Sequence, residues 1–207
     1  RAAGCLSTQT SDVMTTWDWG IFKALNFDGG TATDAAMEAV SGIVMWIPLY
    51  LLILWLVWRR GGWRALVLFA VLVAAAMGMA DMIAGIFKHS GPLKDLWPSF
   101  EARPRPMFTE ALGAIHAPSL DHGAYGTVSS HAATVAALSL MSIGAIRRRT
   151  FTWGMIAVWL LICYSRIYLA CHFPADLLLG SAVGLAAGGF CAWIYGRICK
   201  RIPHGEE

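Results

Sequence analysis

Charge is the property that this sequence most lacks. Of its 207 residues only 14% are Asp, Glu, Lys or Arg, while 57% are hydrophobic. Soluble domains carry charge on about a quarter of their residues. The deficit excludes an ordinary soluble domain and indicates a membrane protein. The formal net charge of +3 is too small to indicate a nucleic-acid partner.

Cysteine is also scarce, and its spacing suits neither a metal site nor a redox pair. There are five cysteines, with no CxxC motif among them, and four lie inside or at the ends of apolar segments. Small apolar packing residues are the interpretation that this placement favours. We therefore expect no metal site and no cofactor. The five are Cys5, Cys163, Cys171, Cys191 and Cys199.

Long apolar runs are what the sequence has instead. Five of them follow one another, at about 38–58, 64–87, 130–146, 151–171 and 175–196. Each can cross a membrane as a helix, because a helix satisfies its backbone polar groups internally. The third is the shortest and contains serine and alanine, which predicts that it packs among the other helices.

The residues before the first run predict a different kind of element. Residues 1–15 are small and polar and are predicted to be a flexible lead. From about 16 to 27 aromatic and aliphatic residues alternate with Asp18 and Lys23. A helix of this length is too short to span a bilayer and is typical of one lying in the interface.

The predicted fold is therefore an all-α polytopic membrane helix bundle. It has about five transmembrane helices and an N-terminal interfacial amphipathic helix. Residues 16–200 are expected to form a single membrane-embedded domain, followed by a cytoplasmic tail over 201–207.

The basic residues predict the orientation of this bundle. They concentrate between the first two runs, between the third and fourth, and in the tail, which alternation places on one side. Short cytoplasmic loops are rich in Lys and Arg. The 88–129 loop and the 172–175 turn then face outward, in a bacterial inner membrane. The basic residues are Arg59, Arg60, Arg64, Arg147, Arg148, Arg149, Arg197, Lys200 and Arg201.

Asp81 is a carboxylate inside the second apolar run. Ionisable residues at membrane depth are usually functional. Lys88 follows seven residues later and falls on about the same helical face. Asp81 either holds a cation of the functional site in place or is a polar group satisfied by a neighbouring helix.

The stretch YSRIYLACHFPAD (164–176) joins the fourth and fifth runs on the outer side. Pro174 suits the first turn of a helix, so His172 precedes that helix and Asp176 lies in its first turn. A carboxylate one turn away can bond one imidazole nitrogen and leave the other as a nucleophile. Arg166 offers a bidentate donor for phosphate oxygens.

The stretch GTVSSHAAT (126–134) opens the third run on the same side. The start of a helix offers free backbone N–H groups and a positive dipole end, which together bind anions. Ser129 and the backbone at Ser130 are candidate phosphate donors. His131, when protonated, can deliver a proton to a leaving oxygen as a general acid.

A basic loop precedes both stretches and supplies the remaining cations. Lys88, Lys94, Arg103 and Arg105 lie in it, and each arginine is followed by a proline that stiffens the chain. Phosphoryl transfer is catalysed mainly by positioning and by cationic stabilisation of charge on the phosphoryl oxygens. The loop is therefore a candidate part of a phosphate site.

Together the three blocks resemble the signature of the type 2 phosphatidic acid phosphatase family, and its small bacterial members in particular. The blocks are the arginine-proline pair, Ser-x-His, and Ser-Arg followed after five residues by His and after three more by Asp. The resemblance covers about residues 12–200. It implies an integral-membrane enzyme that strips phosphate from lipids without a metal, through a phosphohistidine.

The resemblance also implies roles for individual residues. His172 would be the nucleophile, Asp176 its orienting partner and His131 the general acid. The expected phosphate-binding residues are Arg166, Ser129, Ser130, Lys88, Arg105 and Arg103.

Two departures from the family pattern leave alternatives open. The second block usually reads Pro-Ser-Gly-His, whereas this chain has serine at position 130 in place of glycine. The first block usually has lysine six residues before Arg-Pro, whereas 89–102 resembles an insertion. The lysine is either Lys88 or Lys94, and the arginine either Arg103 or Arg105.

The favoured function is that of a lipid phosphatase working at the outer leaflet of the inner membrane. The membrane lipid substrate and the bilayer are its expected partners. Outward orientation favours lipid A or undecaprenyl pyrophosphate, and phosphatidylglycerol phosphate or phosphatidic acid are possible. The headgroup and the oligomeric state remain open.

Two other classes of function fit parts of the pattern. A zinc hydrolase could use His131, His172 and Asp176 as ligands, although no acidic cluster supports a two-metal site. A non-enzymatic transporter or binding protein for an anionic lipid would use the outer arginines equally well, although no internal repeat typical of transporters is visible. The remaining histidines are interpreted as structural: His89, His116, His122 and His204.

Overall fold

The protein is a bundle of α-helices in the computed structural model, which describes residues 16–87, 97, 102–118 and 123–201. In these ranges the only β pairing is an isolated bridge between Pro104 and Tyr125. The predicted all-α membrane bundle is confirmed. The helices are α1 (16–25), α2 (Thr31–Ser41), α3 (Ile47–Ile86), α4 (Ser130–Ile146), α5 (Arg149–Tyr168) and α6 (Pro174–Cys199).

Three of these helical stretches are long and apolar enough to cross a membrane. They are Val44–Ile86, Arg149–Tyr168 and Pro174–Cys199, and α4 is a shorter apolar helix of 17 residues. The first stretch has 43 residues, which as one straight helix would be about 65 Å long, twice the thickness of the hydrocarbon core.

Gly62 divides this stretch into two antiparallel passes. Its backbone has φ 69° and ψ −173°, outside the helical region, and a positive φ of this kind is readily adopted only by glycine. Leu54 and Val73 would lie about 28 Å apart along a straight helix, yet both line one apolar cavity of about 220 Å³. The chain therefore folds back, and the bundle has five apolar passes.

The start of the first pass differs from the sequence prediction. The run was expected to begin near residue 38, but residues 38–41 end α2, and Gly42 is extended. The apolar pass begins only at Val44. The apolar pattern continues across the boundary between α2 and the first pass, so the sequence pattern could not locate that boundary.

The α4 helix lies at the centre of the bundle and packs tightly on α6. The predicted packing among helices is confirmed, since ten of its residues are buried. Three glycines on α6 make the close approach possible. A Cβ added at Gly180, Gly184 or Gly188 would lie 2.4, 2.0 or 2.7 Å from the backbone oxygens of Ser129, Ala133 and Ala137, respectively. Small residues of this kind let membrane helices approach each other closely.

Gly184→Ala is expected to lower the thermal stability of the detergent-solubilised protein. The new methyl group would overlap a backbone carbonyl, which cannot rotate away, and overpacking of this kind costs about 1–3 kcal/mol. The matched control is Gly196→Ala on the same helix, because nothing lies within 4 Å of a Cβ there. Monodisperse protein remaining after heating measures the effect. Equal losses for the two variants would contradict the close packing.

The basic residues lie at one end of the bundle and the site stretches at the other. Arg59 and Arg64 flank the turn at Gly62, Arg147 caps the end of α4, and Arg197 lies near the end of α6. Three arginines stack on tryptophan rings at this end, with distances to the ring centroid of 5.3, 5.6 and 5.2 Å. Trp and Arg together are typical of a membrane–water interface.

One face of the amphipathic helix α1 packs against the rest of the protein. Phe22 is fully buried, and its ring lies 5.4 Å from that of Phe173 between centroids. Ile21 and Leu25 are exposed. The helix therefore covers the turn that carries His172 with one face and presents apolar residues outward with another.

Candidate active site

The site forms where α5 ends, α6 begins and α4 begins. The turn between α5 and α6 carries His172, which is only 3% exposed. Ala170, two residues earlier, has φ 53°, a left-handed conformation that reverses the chain. Pro174 is the first residue of α6, as predicted, because its missing N–H costs nothing at that position.

A hydrogen bond to a backbone carbonyl fixes the orientation of the His172 ring. Nδ1 lies 3.0 Å from the carbonyl oxygen of Gly126. A carbonyl can only accept, so Nδ1 carries the hydrogen. In the neutral ring the lone pair is then on Nε2, which is the nitrogen that could act as a nucleophile. A Cβ at position 126 would lie 2.9 Å from His172 Cε1, so a larger residue there would displace the His172 ring.

Asp176 lies beside His172 but bonds other groups. Its Oδ2 is 3.6 Å from His172 Nδ1, beyond hydrogen-bond distance, and accepts from the backbone N–H of Phe173 at 3.0 Å. Its Oδ1 lies 3.4 Å from Arg103 Nη1. The structure thus differs from the expected direct bond between the carboxylate and the imidazole. Asp176 is placed to stabilise positive charge on His172 and to cap the first turn of α6.

The segment that contains Arg103 and Arg105 pairs with residues 124–126. Arg105 N–H donates to Ala124 at 2.9 Å, and Gly126 N–H donates to Arg103 at 2.9 Å. This pairing brings both arginines to the site, where they make different contacts. Arg103 binds Asp18 at 2.5 Å. The side chain of Arg105 runs alongside His172, since its Cγ and the His172 ring both lie within about 3 Å of a Cβ at Gly126.

The start of α4 supplies the second histidine and two hydroxyls. Ser129 is fully buried and caps the helix by accepting from Ala132 N–H at 3.4 Å. Its backbone N–H donates to the carbonyl of Asp176 at 3.2 Å, which joins the starts of α4 and α6. Ser130 Oγ is buried and has no hydrogen-bond partner among the described residues. His131 is exposed.

Arg166 lies in the last turn of α5 and is 4% exposed. Its Nη1 donates to the hydroxyl of Ser41, at the end of α2. Its Nε is buried and finds no acceptor in the part of the chain that the structure describes. A buried guanidinium with a donor left over is suited to bind an oxyanion.

Several of the predicted residues are brought together and others fall outside the described ranges. His172, Asp176, Arg166, Arg105, Ser129 and Ser130 converge at the junction of α4, α5 and α6. Arg103 is also there but binds two carboxylates, and His131 acts electrostatically on His172. Lys88, Lys94, His89, His122 and His204 lie outside the described residues. Asp81 is exposed near the C-terminal end of α3.

The sequence interpretation missed three residues of the site. Asp18 was assigned to the polar face of α1, yet it is 1% exposed and reaches the start of α6. Gly126 and Ser41 were not considered at all. The only available signal was that Gly126 begins the same stretch as Ser129.

His116 has the structural role that was expected of it. Its Nε2 lies 2.8 Å from Asp34 Oδ1, which also accepts from the Tyr168 hydroxyl at 2.6 Å. Asn26 bonds the backbone of His116 and of Tyr168. This polar cluster fastens the backbone at His116 to α2 and to the end of α5.

Comparison with known proteins identifies the family. The model of the PAP2 superfamily matches residues 82–199, more than half of the chain. The chain belongs to the PAP2 superfamily. The resemblance to type 2 phosphatidic acid phosphatases is thereby confirmed, and the protein is a membrane lipid phosphatase, a hydrolase of phosphate esters.

Three relatives of this PAP2 protein are named for their activities. It is 28% identical to a lipid A 4'-phosphatase of Bacteroides thetaiotaomicron, over 82% of this chain and 71% of the relative. It is 24% identical to a lipid A 4'-phosphatase of Porphyromonas gingivalis, over 84% and 71%. It is 32% identical to phosphatidylglycerophosphatase B of Escherichia coli, over 38% and 33%. No solved structure matches the chain.

The surroundings of His172 predict the pH dependence of this PAP2 enzyme. Burial, followed by the charges of Arg105 and Arg166, holds the pKa of His172 well below its ordinary value. A histidine that acts as a nucleophile must be neutral, and the His172 ring is neutral above its pKa. The contribution of His172 to the acid limb of kcat/KM is therefore expected below about pH 6.5, the ordinary pKa of histidine.

Arg105→Gln tests this prediction, because it removes one of the two guanidinium charges that lower the pKa of His172. The acid limb of kcat/KM should move to higher pH, whatever the change in absolute rate. The control is Arg148→Gln, at the opposite end of the bundle. An acid limb that does not move in Arg105→Gln would show that this limb reports another group.

Proposed function

We propose that this protein removes a phosphate group from lipid A at the outer face of the inner membrane, through a phosphohistidine on His172. The observation that carries the choice of lipid is the extent of similarity. Two lipid A 4'-phosphatases match along more than four fifths of this chain, whereas the phosphatidylglycerophosphatase matches along 38%. Undecaprenyl pyrophosphate, phosphatidylglycerol phosphate and phosphatidic acid are the alternative substrates.

The first chemical step is attack of His172 Nε2 on phosphorus. The N–P bond forms as the bond from phosphorus to the lipid oxygen breaks, and His131 donates a proton to that oxygen. Nδ1 keeps its hydrogen on the carbonyl of Gly126. The positive charge that develops on the ring is stabilised by the nearby carboxylate of Asp176, 3.6 Å away.

The second step is hydrolysis of the phosphohistidine. His131, now neutral, takes a proton from water as the water oxygen attacks phosphorus, and the N–P bond breaks to release phosphate. Each step transfers the phosphoryl group through a transition state with charge on three equatorial oxygens. Arg166 Nε, Ser130 Oγ and Arg105 are the donors in this proposal, and the first two are buried without a partner among the described residues.

The positions of the charges support the proposed outward orientation. The basic turns lie at the end of the bundle opposite to His172, and basic short loops are cytoplasmic. The site then opens toward the outer leaflet. A phosphorylated lipid with its headgroup at that surface can reach His131, which is exposed.

Phosphate release from a panel of lipids tests the proposed function. The purified protein in detergent is given bisphosphorylated lipid A, undecaprenyl pyrophosphate, phosphatidylglycerol phosphate and phosphatidic acid, each with and without EDTA. We expect the highest kcat/KM with lipid A, unchanged by EDTA, and a product that mass spectrometry identifies as having lost one phosphate. A faster reaction with another lipid would reassign the substrate, and loss of activity in EDTA would indicate a metal mechanism.

A comparison of intact with permeabilised spheroplasts tests the orientation. A substrate added outside spheroplasts should be dephosphorylated without permeabilisation. A rate that rises severalfold only after permeabilisation would place the site on the cytoplasmic side.

A further inference from the structure

Asp18 is a buried carboxylate that the mechanism above does not use. It lies on α1, far from the site in sequence, and is 1% exposed. Its Oδ1 accepts from the backbone N–H of Ala175 at 2.9 Å, in the first turn of α6. Its Oδ2 lies 2.5 Å from Arg103 Nη1. A carboxylate is rarely buried unless it is paired and hydrogen-bonded, and Asp18 is both.

Arg103 connects Asp18 to the two segments that contact His172, which are the start of α6 and the backbone at Gly126. Its guanidinium also lies 3.4 Å from Asp176 and 3.7 Å from the centre of the Phe173 ring. Its backbone oxygen accepts from Gly126 N–H, and its backbone N–H donates to Thr127 Oγ1 at 2.9 Å. Gly126 is the residue whose carbonyl orients the His172 ring.

We propose that Asp18 is a positioning residue for His172. It holds the start of α6 directly through Ala175. It holds the segment 124–126 through Arg103, whose guanidinium contacts the carboxylates of Asp18 and Asp176. The inference rests on the proposed function, because it concerns the orientation of the nucleophile in that reaction.

This arrangement divides the work of the two adjacent arginines. The guanidinium of Arg103 contacts Asp18, Asp176 and the ring of Phe173. Arg103 therefore holds the ring of His172 indirectly, through the backbone at Gly126. Arg105 runs alongside His172 and remains the phosphate-binding candidate of the pair. Both were candidates for phosphate binding in the sequence, and the contacts of Asp18 are what distinguish them.

Asp18 affects the rate of the reaction without touching the substrate. Displacement of a reacting group by about 1 Å can cost about 100-fold in rate. Loss of the Asp18–Arg103 pair frees the Gly126 segment and the start of α6 to move, and Nε2 of His172 moves with them. Phosphate binding through Arg166 and Ser130 does not involve this pair, so KM should change much less than kcat.

The test is Asp18→Asn in the full-length protein, assayed for phosphate release from lipid A. Asparagine keeps the acceptor for Ala175 N–H and removes the charge that holds Arg103. We expect kcat to fall by about 10- to 100-fold and KM to stay within about twofold. The matched control is Asp28→Asn, which removes an exposed carboxylate in the linker after α1 and should leave kcat unchanged.

A double-mutant cycle separates positioning from a general loss of stability. Asp18→Asn and Arg103→Gln are measured singly and together. If Asp18 acts through Arg103, the double variant should be about as active as the slower single variant. Independent effects that multiply, or an Asp18→Asn protein with the kcat of the wild type, would overturn the proposal.

A second pair of variants covers the case in which Asp18→Asn does not fold. Arg103→Lys shortens the cation, and Asp18→Glu lengthens the carboxylate, so the combination rebuilds the ion pair. We expect Arg103→Lys to lower kcat and the combination to recover part of it, and no recovery would overturn the proposal. A wild-type protein that releases phosphate from none of the lipids would instead show that the proposed function has failed.

Discussion

Replacing His172 by alanine is expected to lower kcat for phosphate release by about 10⁴-fold or more, the size of effect seen when a catalytic nucleophile is removed. The reason is that the proposed covalent intermediate forms on His172 and cannot form without its imidazole. The Nδ1–Gly126 bond at 3.0 Å leaves Nε2 free to attack. Phosphate release in the presence of EDTA measures the loss.

The matched control for this variant is His116→Ala. His116 is likewise a histidine bonded to neighbouring groups, but it is only partly buried and belongs to the polar cluster with Asp34 and Tyr168. We expect it to lower stability more than kcat. If His172→Ala keeps kcat within tenfold of the wild type while remaining folded, a non-covalent mechanism or a non-enzymatic role in lipid binding becomes the better interpretation.

Arg166→Lys is expected to lower kcat/KM by about 10²- to 10³-fold, the effect of losing one donor that stabilises a transition state. Lysine keeps the charge but loses the planar fork of donors that matches phosphate oxygens. Arg166 is 4% exposed, so water cannot replace the missing donor. Initial rates at several lipid concentrations separate kcat from KM.

Arg149→Lys is the control for this second prediction, because it makes the same exchange at the exposed opposite end of the same helix. It should leave kcat/KM within about twofold of the wild type. If the two variants are equally active, Arg166 has a packing role through Ser41, and phosphate binding would have to be assigned to other cations.

The apolar passes and the two histidine stretches could be predicted from the sequence because both are local patterns. A run of apolar residues predicts a membrane helix wherever it occurs. The spacing of Arg166, His172 and Asp176 is fixed within one turn between two helices. Alternation of the passes then places the start of α4 on the same side of the membrane.

The contacts that orient the site could not be predicted because they join distant segments. The His172–Gly126 bond spans 46 residues and the Ala175–Asp18 bond spans 157. Asp18 fits the polar face of an amphipathic helix equally well, and only the packing of α1 on α6 shows that it is buried. The different roles of Arg103 and Arg105 could not be predicted for the same reason, because two arginines separated by one proline are equivalent in sequence.

Isolation of the phosphoenzyme tests the central claim most directly. The wild-type protein is mixed with ³²P-labelled lipid A, quenched in alkali within milliseconds to seconds, digested and analysed by mass spectrometry. We expect an acid-labile, alkali-stable phosphate on the peptide that contains His172, and none in His172→Ala. Phosphate on a serine peptide, or rapid turnover with no labelled protein at any quench time, would contradict catalysis through a phosphohistidine at His172.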